Sequence, residues 1–176
     1  MFNFFTASLN VSNITPERIK TEGESKTLDL VMISNKGGRD QYNKDGFIVE
    51  DVSREERQQE ERGEILGNFR LFPEESQLEG TIQIQLQLHR IDKKRLIQGQ
   101  KGKYLDLVAF PNREGRSDRG DDGVTIQSVS KEEREAGERG PIIGNYRLIA
   151  AAKRDSAPNA PAPEEVDPSE DEEIPF

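Results

Sequence analysis

Apolar and polar positions alternate along this chain in two runs that match each other. In "SLNVSNI" (8–14) and "IQLQLHRI" (84–91), Leu9 and Val11, then Leu86 and Leu88, fall on every second position, the period of a half-buried strand. Polar, glycine-containing connections lead to "LDLVMI" (28–33) and "LDLVAF" (105–110), which read as short strands. A Gly/Asn/Asp-rich loop then precedes a third strand in "GFIVEDVS" (46–53) and in "GVTIQSVS" (123–130). Ser53 and Ser130 stand three residues before Glu56 and Glu133, an S-x-x-E capping box. The box predicts one short charged helix in each run, closed by Gly63 or Gly140. A last strand follows in "EILGNFRLF" (64–72) and "PIIGNYRLI" (141–149).

The correspondence is a repeat. Shifted by 77 positions, residues 7–72 lie on 84–149 without a gap, with 26 identities in 66 positions. "VSREERQQEERGEILGNFRL" (52–71) against "VSKEEREAGERGPIIGNYRL" (129–148) carries much of it. A period of this length marks a duplicated structural unit. The order strand, strand, strand, helix, strand fits an OB-fold, whose helix also sits between the third and fourth strands, with another small β-barrel as the alternative. Each unit is short for that fold and too small for a robust core alone. The two units are therefore expected to pack together, or the chain to pair with a second copy. The expected architecture is all-β with one short helix per unit. It comprises two tandem OB-like barrels, residues 1–77 and 78–155, and a tail over residues 156–176.

Composition sharpens this picture. Apolar residues make up 32% of the chain and charged residues 34%, so the core must be thin. No apolar run is long enough to cross a membrane as a helix. "MFNFFTASLN" lacks the basic start of a signal peptide, so a cytoplasmic setting is expected, in a bacterial cell or in a host if the gene is a phage's. The chain has no cysteine, which excludes disulfides, thiol nucleophiles and thiolate metal sites. The net charge of −9 is concentrated in the tail. Without the seven acids of residues 156–176, 25 basic residues face 27 acidic ones, a body of net −2. Its halves differ: residues 1–77 are net −5 and residues 78–155 net +3. Much of that difference sits in "HRIDKKRLIQGQKGK" (89–103), with Arg90, Lys93, Lys94, Arg95, Lys101 and Lys103 against one acid. A basic loop between two barrel strands can track a phosphate backbone.

Catalysis finds few candidates. His89 is the only histidine and reads as a surface residue; Asp29 and Asp106 recur, one per unit, and read as structural hydrogen-bond acceptors. No phosphate-binding loop or dinucleotide fingerprint occurs, so neither enzyme activity nor a cofactor or metal is expected. Binding has more candidates. "GNFR" (67–70) and "GNYR" (144–147) place an aromatic beside an arginine in the last strand of each unit. Neighbouring strand residues face opposite ways, so one of each pair points outward. The residues expected to contact a nucleic acid are Phe69, Arg70, Tyr104, Tyr146 and Arg147, with Lys26, Arg95, Lys101 and Lys103 on phosphates. The second unit is expected to bind more strongly.

From Ser156 the composition shifts to prolines, small residues and acids, which reads as a flexible tether. It finishes in "DEEIPF", apolar where a solvated tail has no use for apolar residues. Phe176 suits a small pocket, its carboxylate a basic residue, and the acids steer the encounter. This ending resembles the acidic C-terminal tip of bacterial-type single-stranded DNA-binding proteins. The resemblance implies OB-folds that hold the DNA and a tip that recruits replication, recombination and repair proteins. Carried over, Asp171, Glu172 and Glu173 are the acidic part and Ile174, Pro175 and Phe176 the anchor. The body departs from that family's usual single OB domain; its "KGKYL…SKEER…GNYR" pattern is similar to small proteins of phages and mobile elements. The expected function is sequence-independent binding of single-stranded DNA. The rivals are a protein-interaction adaptor that mimics such a tail, and an RNA-binding module.

Overall fold

The computed structural model describes residues 2–150, so the expected tail and its tip, Asp171 to Phe176, lie outside the described residues. Each half contributes four long strands. The first has β1 (Phe4–Asn10), β3 (Ser25–Ser34), β4 (Gly46–Glu50) and β5 (Ile65–Phe72). The second has β6 (Thr81–Gln87), β8 (Gly102–Pro111), β9 (Gly123–Gln127) and β10 (Ile142–Ile149). Three-residue strands β2 (Lys20–Glu22) and β7 (Ile97–Gly99) form hairpins with β3 and β8. One short helix per half, α1 (Arg54–Gln58) and α2 (Lys131–Glu135), sits between the third and fourth long strands. Every element of the second half lies 77 positions after its counterpart, as Thr81 does after Phe4. The all-β class read from the alternation is the observed one.

The two halves do not form two barrels. Within a half the strands pair in the order β1–β5–β4–β3, and β1 never meets β3. Instead β1 pairs antiparallel with β8, and β3 with β6. The sequence β1–β5–β4–β3–β6–β10–β9–β8 thereby closes on itself as one eight-stranded barrel. The reason is geometric. Four short strands cannot enclose a core, and each half presents two edges with unpaired backbone groups. Eight strands give an interior just wide enough for side chains to fill, and closure removes every edge.

Alternation sends Phe5, Ala7 and Leu9 of β1, Leu28, Leu30 and Met32 of β3 and their counterparts Ile82, Ile84, Leu86, Leu105, Leu107 and Ala109 inward. Volumes compensate across the repeat. Ala7 stands where the second half has Ile84, and Met32 where it has Ala109, as a close-packed interior shared by both halves requires. Phe5 of one half meets Tyr146 of the other edge-on, ring centroids 5.2 Å apart.

Both capping boxes form. The Ser53 and Ser130 hydroxyls accept from the Glu56 and Glu133 N–H, and those carboxylates accept from the Ser53 and Ser130 N–H. The helices end sooner than Gly63 and Gly140. Glu60 (φ 61°) and Gly137 (φ 82°) are the left-handed residues that follow them. Gly63 and Gly140 serve close packing instead: a Cβ there would lie 1.9 Å from the Glu50 carbonyl oxygen or 1.8 Å from that of Gln127.

Candidate nucleic-acid interface

The expected contact residues separate into three groups. Phe69 and Tyr146 are 1% exposed and belong to the barrel core, which corrects their assignment as stacking residues. Gly46 and Gly123 make the space for these rings: a Cβ would lie 2.6 Å from Phe69 Cε1 and 2.3 Å from Tyr146 Cε1. Burial, with Asp122 nearby, pushes the Tyr146 phenol up to about 12.

Arg70 and Arg147 do point outward, but from β5 and β10, four strands apart around an eight-stranded barrel. They lie on opposite sides and cannot share one site. Arg70 stacks over the Phe72 ring at 4.9 Å and pairs with Glu74. Arg147 donates to Asp121 Oδ1 at 2.9 Å and to the Arg119 carbonyl at 2.8 Å.

The third group lies at the barrel end where β1 and β6 finish and β3 and β8 begin. Lys26 and Lys103 sit on opposite rims of that end, on β3 and β8. Their backbone N–H groups are capped from across the seam. Lys103 donates to Ser12 Oγ at 2.9 Å, and Lys26 to His89 Nδ1 at 3.2 Å. His89 thus repeats the role of Ser12, an exposed acceptor at a junction between halves. Lys101 and Lys103 are exposed and Tyr104 is half-buried.

The basic loop is held by a small set of groups. Asp92 N–H donates to Gln127 Oε1 at 2.8 Å, and Gln127 Nε2 returns a bond to the Asp92 carbonyl at 3.0 Å. Arg95 bridges Glu133 at 2.5 Å and Asp92 at 3.2 Å, so it anchors the loop. The Ser130 N–H and then Arg95 hold the Glu133 carboxyl below its ordinary range. The first half repeats this design with charge. Glu50 accepts from Thr15 N–H at 2.6 Å and faces Arg18 Nε at 3.3 Å, while Arg18 also pairs with Glu56 at 3.0 Å. Arg18 and the Ser53 N–H lower Glu56 to about 2.

With Arg95 committed, Arg90, Lys93, Lys94, Lys101 and Lys103 remain exposed and make no ion pair among the described residues. They form a basic arc across this end of the barrel. Their first-half counterparts are Asn13, Pro16, Glu17, Glu24 and Lys26, only one of them a cation.

Asp29 and Asp106 have the structural role expected of them, and the structure adds where. Each accepts across one inter-half seam, Asp106 from Ser8 Oγ at 2.6 Å and Asp29 from Gln85 Nε2 at 3.1 Å; Asp29 also accepts from Lys20 Nζ of its own half at 2.6 Å. The outward aromatics Phe4, Phe72 and Phe110 escaped sequence reasoning. Phe110 has the strand parity of Tyr104, a signal that places both on one face of β8.

Comparison with family models, with curated proteins and with solved structures finds no match. Among the described residues no helix is long and apolar enough to cross a membrane.

Proposed function

We propose that this protein is a non-catalytic, sequence-independent single-stranded DNA-binding protein with an OB-like barrel built from a duplicated unit. Its C-terminal "DEEIPF" recruits replication, recombination or repair proteins of a bacterial or phage system. The observation that carries the reading is the basic arc of residues 90–103. Five exposed cations there lack carboxylate partners among the described residues, in a chain of net charge −9. Unpaired cations on a rim are suited to phosphates, whose capture releases counterions and makes affinity fall with salt. The DNA-facing role falls to Lys101, Lys103 and Tyr104, joined by Arg90, Lys93 and Lys94. The test is titration of labelled oligo-dT with the full chain and with a chain lacking residues 171–176, at low and moderate salt. Salt-sensitive binding that persists or strengthens without the tip supports a DNA-binding body with a separate hook. Absence of binding by both refutes the reading and favours the adaptor, whereas preference for a matched RNA oligonucleotide favours the RNA module.

A further inference from the structure

The pseudo-symmetric barrel has two equivalent lateral faces, one across each inter-half seam, and their outward residues differ sharply. On the β5–β1–β8 face, Phe72, Phe4 and Phe110 form a row at one end, and Tyr104 lies at the other. On the β10–β6–β3 face the same positions hold Ile149, Thr81, Ile33 and Thr27. These four aromatics therefore share one face, whereas the outward Phe47 lies on β4, away from both seams. Two come from each half, and only the β1–β8 seam brings them together. Phe4 and Phe72 are stacked, 4.7 Å between centroids and 7° between planes, and Phe110 lies 5.8 Å from Phe4. Phe110 is the most open ring of the row, 43% exposed.

Charge separates the faces in the same direction. Between the aromatic ends of the β5–β1–β8 face runs a groove of about 360 Å³, lined by Thr6, Ser8, Lys44, Asn68, Asp106 and Ser128. Its equivalent of about 230 Å³ is lined by Asp29, Gln83, Gln85, Asp121, Asn145 and Arg147. Asp121 stands where the first groove has Lys44, and Asp51, bonded to Gln83 at 2.9 Å, where it has Ser128. One face thus carries one carboxylate on this band and the other three. All three are ion-paired, Asp29 with Lys20, Asp121 with Arg147 and Asp51 with Arg57, whereas Lys44 on the first face makes no ion pair among the described residues and is the cation of this band left for a phosphate.

Resting on the nucleic-acid reading above, we propose that single-stranded DNA lies along β8 on the β5–β1–β8 face. Bases stack on Phe110 and Tyr104, and phosphates meet Lys44, Lys101 and Lys103. Phe110 and Tyr104 are six residues apart on one strand, about 20 Å at the usual rise, so a short run of nucleotides spans both rings. Base–aromatic stacking is sequence-tolerant because every base has a π-face. The Lys103 end of this face continues into the basic arc.

The test is oligo-dT titration of full-length variants whose fold is checked by circular dichroism. Phe110→Ala and Tyr104→Ala are each expected to weaken binding roughly 5- to 150-fold, the worth of one base–aromatic stack, and Tyr104→Phe to restore it. Ile33→Ala and Ile149→Ala, the same positions on the opposite face, are expected to leave affinity unchanged. If Lys101→Gln with Lys103→Gln weakens binding while Phe110→Ala and Tyr104→Ala do not, the face is wrong and the DNA-binding reading stands. If the opposite-face variants weaken binding equally, the one-sided assignment is overturned. If wild-type protein binds no oligo-dT, both fall. If sedimentation shows a dimer that Phe110→Ala dissociates without changing DNA affinity, the row is a self-association surface instead.

Discussion

Truncating one core leucine in each half tests whether the molecule has one cooperative core. Leu30 in β3 and Leu107 in β8 are equivalent, and both are 0% exposed. Each also sits at an inter-half seam, Leu30 opposite Ile84 and Leu107 opposite Ala7. Replacing a buried leucine by alanine loses transfer free energy and leaves a cavity that neighbours only partly fill, about 2–5 kcal/mol. For a folded body of this size each kcal/mol moves the midpoint by about 2–4 °C, so a mid-range loss of about 3 kcal/mol lowers Tm by about 6–12 °C. Because the core is continuous through both seams, Leu30→Ala and Leu107→Ala should each shift one transition, in which both halves melt together. The assay is differential scanning calorimetry beside far-UV circular dichroism, with calorimetric and van't Hoff enthalpies compared. Two transitions, each moved by only one of the two substitutions, would refute the shared barrel and restore independent units.

Three further outcomes follow from the same packing and charges. Gly123→Ala places a methyl 2.3 Å from both the Phe110 carbonyl oxygen and Tyr146 Cε1, and should destabilise by at least about 1–3 kcal/mol in urea unfolding. Glu60→Gly should stabilise by up to about 1 kcal/mol, because Glu60 occupies the left-handed region at φ 61° where the second half has Gly137. Glu56 is lowered from 4.5 to about 2, so the stabilisation from its protonation linkage is fully present above pH 4.5 and is lost as pH falls towards 2. Arg18→Gln removes the main cause and should flatten the stability profile over that window; an unchanged acid limb would contradict the linkage.

Strands, helix caps and the repeat were legible because each rests on residues close in sequence. Alternation fixes which residues share a face, and S-x-x-E fixes a helix start, without reference to the rest of the chain. Strand pairing across the seams was not legible. Ser8 with Asp106 and Lys103 with Ser12 join residues far apart in sequence, and no local pattern distinguishes a half that closes on itself from one that closes on its twin. The parity of "GNFR" and "GNYR" left two orientations open. What turns Phe69 and Tyr146 inward is the space over Gly46 and Gly123, more than twenty residues earlier. The basic run at 89–103 was visible as charge. That Arg95 holds the loop while its neighbours stay unpaired emerged only from Glu133 and Asp92 beside it. The aromatic face was hidden for the same reason as the barrel: its rings come from both halves.

The salt dependence of oligo-dT affinity tests the functional claim most directly. If all five cations of the arc engage phosphates, log K falls with log salt with a slope of about −3.5, and Lys101→Gln with Lys103→Gln makes it shallower by about 1.4. Those values are the prediction, measured on the full chain between low and moderate salt. Affinity that ignores salt, or a slope unmoved by removing both lysines, would contradict the account.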